Sequence, residues 1–231
     1  MINLKIGKHK CQIPNEWHEM TISKYAKVVA ILLQHDVKDP DEIEDEKIKQ
    51  DQKAKNIAAN RDIFSLLTGL DNSVIMNTNL KEMNNCLELM NRFLNTRVEK
   101  QFSENEDEKH HFSFKGKTYF FPKAKMTETT FGDYIESEQI AANAKEIEGG
   151  RFGIIAKQMA ILCKEEGEEE TNDKLVAKKA RIFENLPMDI VWNFVFFLMK
   201  QTNTYQKSIQ MSSKMVKEAS QTDMQTNTGT S

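Results

Sequence analysis

The sequence predicts an α+β protein, mainly α-helical, made of two related halves in which a β-hairpin is followed by a helical bundle. Three observations point there. A phrase of alternating strand, glycine, second alternating strand and proline occurs twice; apolar residues recur at helical spacing through much of the rest; and charge-rich stretches separate the periodic segments. The 231 residues, 39% hydrophobic and 29% charged, exclude a chain disordered throughout and suit one large or two small domains.

The first hairpin spans residues 4–14, turning at Gly7 and ending at Pro14, and residues 112–122 repeat it with Gly116 and Pro122. Glycine tolerates the positive φ of a tight hairpin, and proline, with no N–H, ends the ladder. Each phrase continues to a Met-Thr pair and a tyrosine: Met20-Thr21 with Tyr25, and Met126-Thr127 with Tyr134. Thr21 and Thr127 are the expected helix N-caps, the latter with Glu128 and Thr130 nearby.

The first helix carries Ile22, Tyr25, Ala26, Val29, Leu32 and Leu33 at helical spacing. An acidic stretch over 36–55 follows and reads as a solvated spacer. Beyond it come a helix ending in Ile63-Phe64 and a last helix in which Leu80, Met83, Leu87, Met90 and Leu94 form a seam suited to another helix. In the second half Phe131, Tyr134 and Ile135 precede a break at Gly149-Gly150. Phe152, Ile155, Met159 and Leu162, a second acidic spacer over 164–174, Ile182-Phe183 and a strongly apolar helix after Pro187 complete it. Burial on every face of that helix implies a domain centre or a partner surface.

These features divide the chain into a first half at 1–103, an acidic linker at 104–111, a second half at 112–204 and a polar C-terminal arm at 205–231, partly disordered. The formal net charge of −3 conceals this punctuation. The stretches 36–55, 104–111 and 164–174 carry −3, −3 and −4, which leaves the remainder at +7.

Several function classes are disfavoured by the same residues. Acids and bases are interleaved, and of 32 basic residues only Arg61, Arg92, Arg97, Arg151 and Arg181 are arginines, which argues against a nucleic-acid binder. Cys11, Cys86 and Cys163 are odd in number and far apart, as expected of a reducing compartment; Cys86 and Cys163 read as packing residues. The opening residues lead into alternating polar positions, so no secretory leader is expected, and the best apolar run, 186–199, is too short and too polar to span a bilayer.

No metal or cofactor is expected. His110-His111 beside Glu104, Glu106, Asp107 and Glu108 has metal-ligand chemistry, but adjacent side chains point apart and a solvated spacer is the simpler reading. No serine or cysteine lies in a nucleophile signature. Gly149-Gly150-Arg151-Phe152-Gly153 admits an anion-binding nest at a helix start, or a plain helix break; it lacks the lysine-serine pair of a phosphate loop. Trp17 and Trp192 are either interface anchors or core residues.

The arrangement Pro14-x-x-Trp17-x-x-Met20-Thr21-x-x-x-Tyr25, with Leu67-Thr68-Gly69 and Asp71 leading into the helix of Leu87 to Leu94, resembles small tail-assembly proteins of tailed bacteriophages. With the lysine, asparagine and isoleucine bias of an AT-rich genome, the chain is similar to virion-gene-cluster proteins of phages of Bacteroides-like hosts, including the crAss-like phages. That resemblance implies a non-enzymatic virion protein, structural or cargo, at the tail or portal, or a transient tail-assembly chaperone. Its partners are then other virion proteins and copies of itself, met in the host cytoplasm during assembly and in the virion thereafter. Trp17, Trp192, Phe196, Phe197, Tyr205, Ile209, Met211 and Met215 are the expected contact residues. The rival reading is a small-ligand-binding regulator or enzyme that uses the glycine turn and Arg151.

Overall fold

A computed structural model of the chain describes residues 1–98, 102, 111–122, 129–168 and 172–200. It is mainly helical, with two small antiparallel sheets.

Strands β1 (Ile2–Ile6) and β2 (His9–Ile13) pair from Ile2↔Ile13 to Ile6↔His9. Alternation decides which face they bury. Ile6, Cys11 and Ile13 turn inward, while Asn3, Lys5, Lys10 and Gln12 stay exposed. The strands close over a two-residue turn, Gly7-Lys8, whose first residue has φ 56°, the position at which a type II′ turn requires glycine.

Thr21 caps α1 (Ile22–Gln34), its hydroxyl accepting from Lys24 N at 3.3 Å. The acidic stretch after it is a spacer only in part. Asp45 accepts from Lys47 N and Ile48 N at 2.9 and 3.0 Å, and the long helix α2 (Glu46–Thr68) runs from there through the remaining charges. A carboxylate at the N-terminus and no helix breaker before Gly69 make 46–55 the helix's first turns, and Gln52 there is buried. Gly69, at φ 72°, ends α2 with its N–H on Ser65 O at 2.8 Å. Short α3 (Asn72–Met76) leads to α4 (Leu80–Leu94), capped by Asn79. The expected α4 seam is rotated. The buried stripe is Met83, Cys86, Met90 and Phe93; Leu80 is 74% exposed, and Leu87 and Leu94 are half-buried beside the stripe.

Strands β3 (His111–Phe114) and β4 (Lys117–Phe120) form a second hairpin, pairing His111↔Phe120 to Phe114↔Lys117. Here both turn residues, Lys115 at 49° and Gly116 at 76°, have positive φ, as in a type I′ turn. A third strand, β5 (Lys164–Glu165), pairs with β4. The second acidic spacer is therefore corrected as well: its first residues complete a sheet, and Glu168 within it is buried.

Helix α5 (Phe131–Ala142) is capped by Thr130, which accepts from Asp133 N at 3.1 Å; Thr127, the expected cap, lies outside the described residues. A 3₁₀ turn, Asn143–Glu146, and the two glycines precede α6 (Arg151–Leu162). Helix α7 (Asp173–Phe183) is capped by Asn172, and α8 spans 188–200.

Helix α6 is the hub. Ile154, Ile155, Ala156 and Gln158 to Leu162 are buried, and α1, α5 and α7 pack around it. The start of α1 is stitched to the turn between α7 and α8: Ile22 N donates to Leu186 O at 3.0 Å, Ser23 N to Glu184 O at 2.9 Å, and Met188 N to Met20 O at 2.8 Å. A single apolar cluster runs from Ile6 to Leu198 and draws on both parts of the chain.

Candidate protein-contact site

Trp17 belongs to a 3₁₀ turn, Trp17–Glu19, shaped by Asn15 N and Glu16 N donating to the Glu19 carboxylate at 2.8 and 3.3 Å. Trp192 lies on α8. Their rings meet edge-to-face with centroids 5.4 Å apart, and Tyr25 stands 5.6 and 5.8 Å from them. Phe93 lies 4.7 Å from Trp17; Phe152 lies 5.3 Å from Trp192 and 4.8 Å from Tyr25. Such offset pairs add to the large apolar burial of each ring. Trp17 is 3% and Trp192 8% exposed, so the two expected contact residues sit inside the protein, where they join the opening segment to α8. Neither indole N–H has a partner among the described residues, and burial pushes the Tyr25 hydroxyl above its ordinary pKa.

Phe196 and Phe197 are half-buried on α8 and pack against the core, Phe196 with its ring 6.3 Å from that of Trp192. Tyr205, Ile209, Met211 and Met215 lie outside the described residues.

The glycine turn is explained by packing. Gly149 has φ 78°, and a Cβ there would stand 2.7 Å from Ala26 O; at Gly153 it would stand 2.2 Å from Glu148 O. Gly149 lets the start of α6 press against α1, and Gly153 lets the preceding turn, Ile147-Glu148, fold back on the helix, so the backbone of the turn faces protein. No side-chain cap bond is made at Gly150.

Two polar clusters are built from side chains that sequence reading did not single out. Lys179, 1% exposed, donates to both Glu168 oxygens and to Cys163 O, each at 3.0 Å. This ties α7 to the turn that follows β5. In the other, His35 Nε2 lies 2.9 Å from Asp62 Oδ2, and Arg61 Nε donates to Asp62 Oδ1 at 2.8 Å. Burial pushes the Asp62 carboxyl up, but the hydrogen bonds from Arg61 and His35 outweigh it and hold it below the usual carboxylate range. The only advance signal was placement: His35 at the end of one helix, Asp62 inside the next.

Burial raises the thiols of Cys11, Cys86 and Cys163, the last most strongly, which keeps them protonated at neutral pH. Among the described residues, no group of three His, Cys, Asp or Glu side chains is placed to hold a metal; His111 is exposed on β3 and His110 lies outside the described residues. Also among the described residues, no helix is long and apolar enough to cross a membrane.

What remains on the surface is a set of open clefts and projecting apolar side chains. A groove of about 590 Å³ lies between α2 and α4, walled by Ile57 and Asn60 on one side and by Asn84, Leu87, Asn91 and Asn95 on the other. A second cleft, of about 360 Å³, separates the first hairpin turn from α3 and α4, and Glu82 crosses it to accept from Gly7 N at 3.1 Å. Ile57, Leu80 and Phe131 are 67%, 74% and 79% exposed. No protein-family model matches the chain, and no curated protein or solved structure matches it either.

Proposed function

We propose that the chain works by protein–protein contact in bacteriophage assembly, as a tail- or portal-associated virion component, structural or cargo. The observation that carries this reading is the open groove between α2 and α4, which sets Ile57 and Leu87 among polar side chains, together with the exposed Leu80 and Phe131. Large apolar side chains held in water on a folded scaffold are the usual raw material of an interface core. The phrase from Pro14 to Tyr25, similar to that of tail-assembly proteins, supplies the biological setting. Assembly takes place in the host cytoplasm and the product is retained in the particle.

The reading includes descent of both halves from one duplicated unit. Supporting it, the second hairpin's register stands 108 residues after the first, from Ile6↔His9 to Phe114↔Lys117. The caps Thr21 and Thr130 and the tyrosines Tyr25 and Tyr134 stand 109 apart, each tyrosine four residues after its cap. Gly7 and Gly116 are also 109 apart, and so take different places in turns of equal length.

Mass spectrometry of purified particles of the encoding phage tests the functional reading. Abundant peptides from this chain in mature virions are the expected result. Recovery with tail proteins from infected cells but not from particles would replace the retained component by a transient chaperone. Recovery with neither would remove the assembly role.

A further inference from the structure

We propose that the outer edge of β2 is a docking site for an acidic, extended segment of a partner protein, which adds to the first hairpin as a third strand. The inference rests on a comparison of the two sheets and stands whether or not the virion reading does.

The second sheet has the same edge in completed form. Thr118, one residue past the pair that closes the turn, directs its carbonyl away from β3 and accepts from Glu166 N at 2.9 Å; Phe120, two residues on, pairs with Lys164 of β5. Both turns have two residues, so Lys10 and Gln12 hold the corresponding places in the first hairpin, past the closing pair Ile6↔His9. Alternation in an antiparallel ladder then points the N–H and C=O groups of Lys10 and Gln12 outward from β2. Among the described residues no backbone or side-chain group bonds to them, and the sheet stops at two strands. Such an edge accepts an added strand, with main-chain bonds supplying affinity and side chains specificity. A cleft of about 800 Å³ borders it, with Lys5, Lys10, Cys11, Gln12, Leu67 and Thr68 in its walls.

Charge decides what the strand carries. Residues 1–13 include Lys5, Lys8 and Lys10 and no acid, and among the described residues none of these lysines makes an ion pair. Lys5 and Lys10 are exposed and stand directly opposite one another, a placement that like charges make unfavourable. A carboxylate opposite Lys10 relieves it, much as the strand added to β4 brings Glu165 to Lys117. Lysine on an edge also repels a second edge of the same kind, which sets aside a copy of this hairpin as the occupant. The residue opposite Cys11 falls on the buried face of the hairpin, so the fitting segment alternates acidic and apolar residues.

The test is fluorescence anisotropy of a labelled peptide that alternates glutamate and valine over about seven residues, an ordinary strand length. The full chain is titrated into it from about 1 μM to about 1 mM, a span that covers weak affinities. The expected result is saturable binding that Lys10→Glu weakens about ten-fold or more. N-methylation of the glutamate amides, which face β2, keeps the charge but removes the donors and should weaken binding by about as much; N-methylation of the valine amides, which face away, should be tolerated. Circular dichroism melts check that Lys10→Glu leaves the fold intact. A wild-type chain that does not bind the peptide overturns the proposal. Equal binding of the peptide with and without methylated glutamates also overturns it, since charge alone then holds the peptide. Single-stranded DNA of equal charge that competes as well as the peptide gives the lysines to nucleic acid and overturns it too. If the wild type fails to bind and the variant Glu104→Gln/Glu106→Gln/Asp107→Asn/Glu108→Gln binds, the edge belongs to the chain's own acidic stretch and not to a partner.

Discussion

Lys179 spends all three of its ammonium protons inside the protein, two on the Glu168 carboxylate and one on Cys163 O, each at 3.0 Å. A buried charge so fully satisfied is stable only as a pair. Glu168→Gln or Lys179→Met therefore leaves an uncompensated charge or carboxylate, and each single change should cost about 3–5 kcal/mol. The double variant Lys179→Met/Glu168→Leu should cost less than the sum of its parts. Urea midpoints of the two singles and the double measure this coupling; additive losses would mean that the two groups act independently.

The contact between α1 and α6 depends on the missing side chain at Gly149. Gly149→Ala must push against Ala26 O, whereas Gly167, also at positive φ, faces open space. Both variants carry the backbone strain of about 1 kcal/mol, but only the first also separates two helices, so Gly149→Ala should be the more costly by roughly 1–3 kcal/mol. Equal thermal shifts for the two would show that α1 can retreat freely.

Helix capping gives a matched pair of measurements. Thr21 and Thr130 each accept a first-turn N–H, from Lys24 and Asp133 respectively. Thr21→Ala and Thr130→Ala should each lower stability by about 1 kcal/mol, with the serine variants restoring most of it. A null effect at Thr130 would deny it the cap.

Acid sensitivity is expected at Asp62. Its carboxyl is held below the usual range in the folded chain, so its share of stability is complete above the unfolded value of about 4 and is lost as pH falls through the folded one. Asp62→Asn removes that share, and its denaturation midpoint should fall less steeply than wild type below about pH 4. Parallel acid limbs for the two proteins would place the sensitivity elsewhere.

The elements with local causes were legible. The hairpins announce themselves by alternation and glycine, and α8 by its apolar run after Pro187, because turn chemistry and periodicity act over a few residues. The acidic stretches misled for the same reason. Charge density reads as solvent, yet Asp45 needs only two amides to start α2, and Glu168 needs only Lys179, eleven residues on, to become an interior group. Trp17 and Trp192 were undecided between core and surface because the answer lies in a contact across 175 residues of sequence, which no window can see. The α4 stripe was placed correctly at Met83 and Met90 and one position late at Leu87 and Leu94, where Cys86 and Phe93 are buried instead. Leucines outrank Cys86 and Phe93 only by counting, while packing against the hairpin and α2 selects the face.

The hydrogen bonds that join Met20, Ile22 and Ser23 to residues 184–188 also order events in time. Synthesis runs from N- to C-terminus, and the partner carbonyls of Ile22 and Ser23 are made only after more than 160 further residues. Until then the opening of α1 and the indole of Trp17 have no lid, and the nascent protein carries an unfinished apolar seam. Closing so long a loop also slows the final step of folding. The protein should therefore mature late and all at once, with the strongest demand for holding factors until residues 184–188 have emerged.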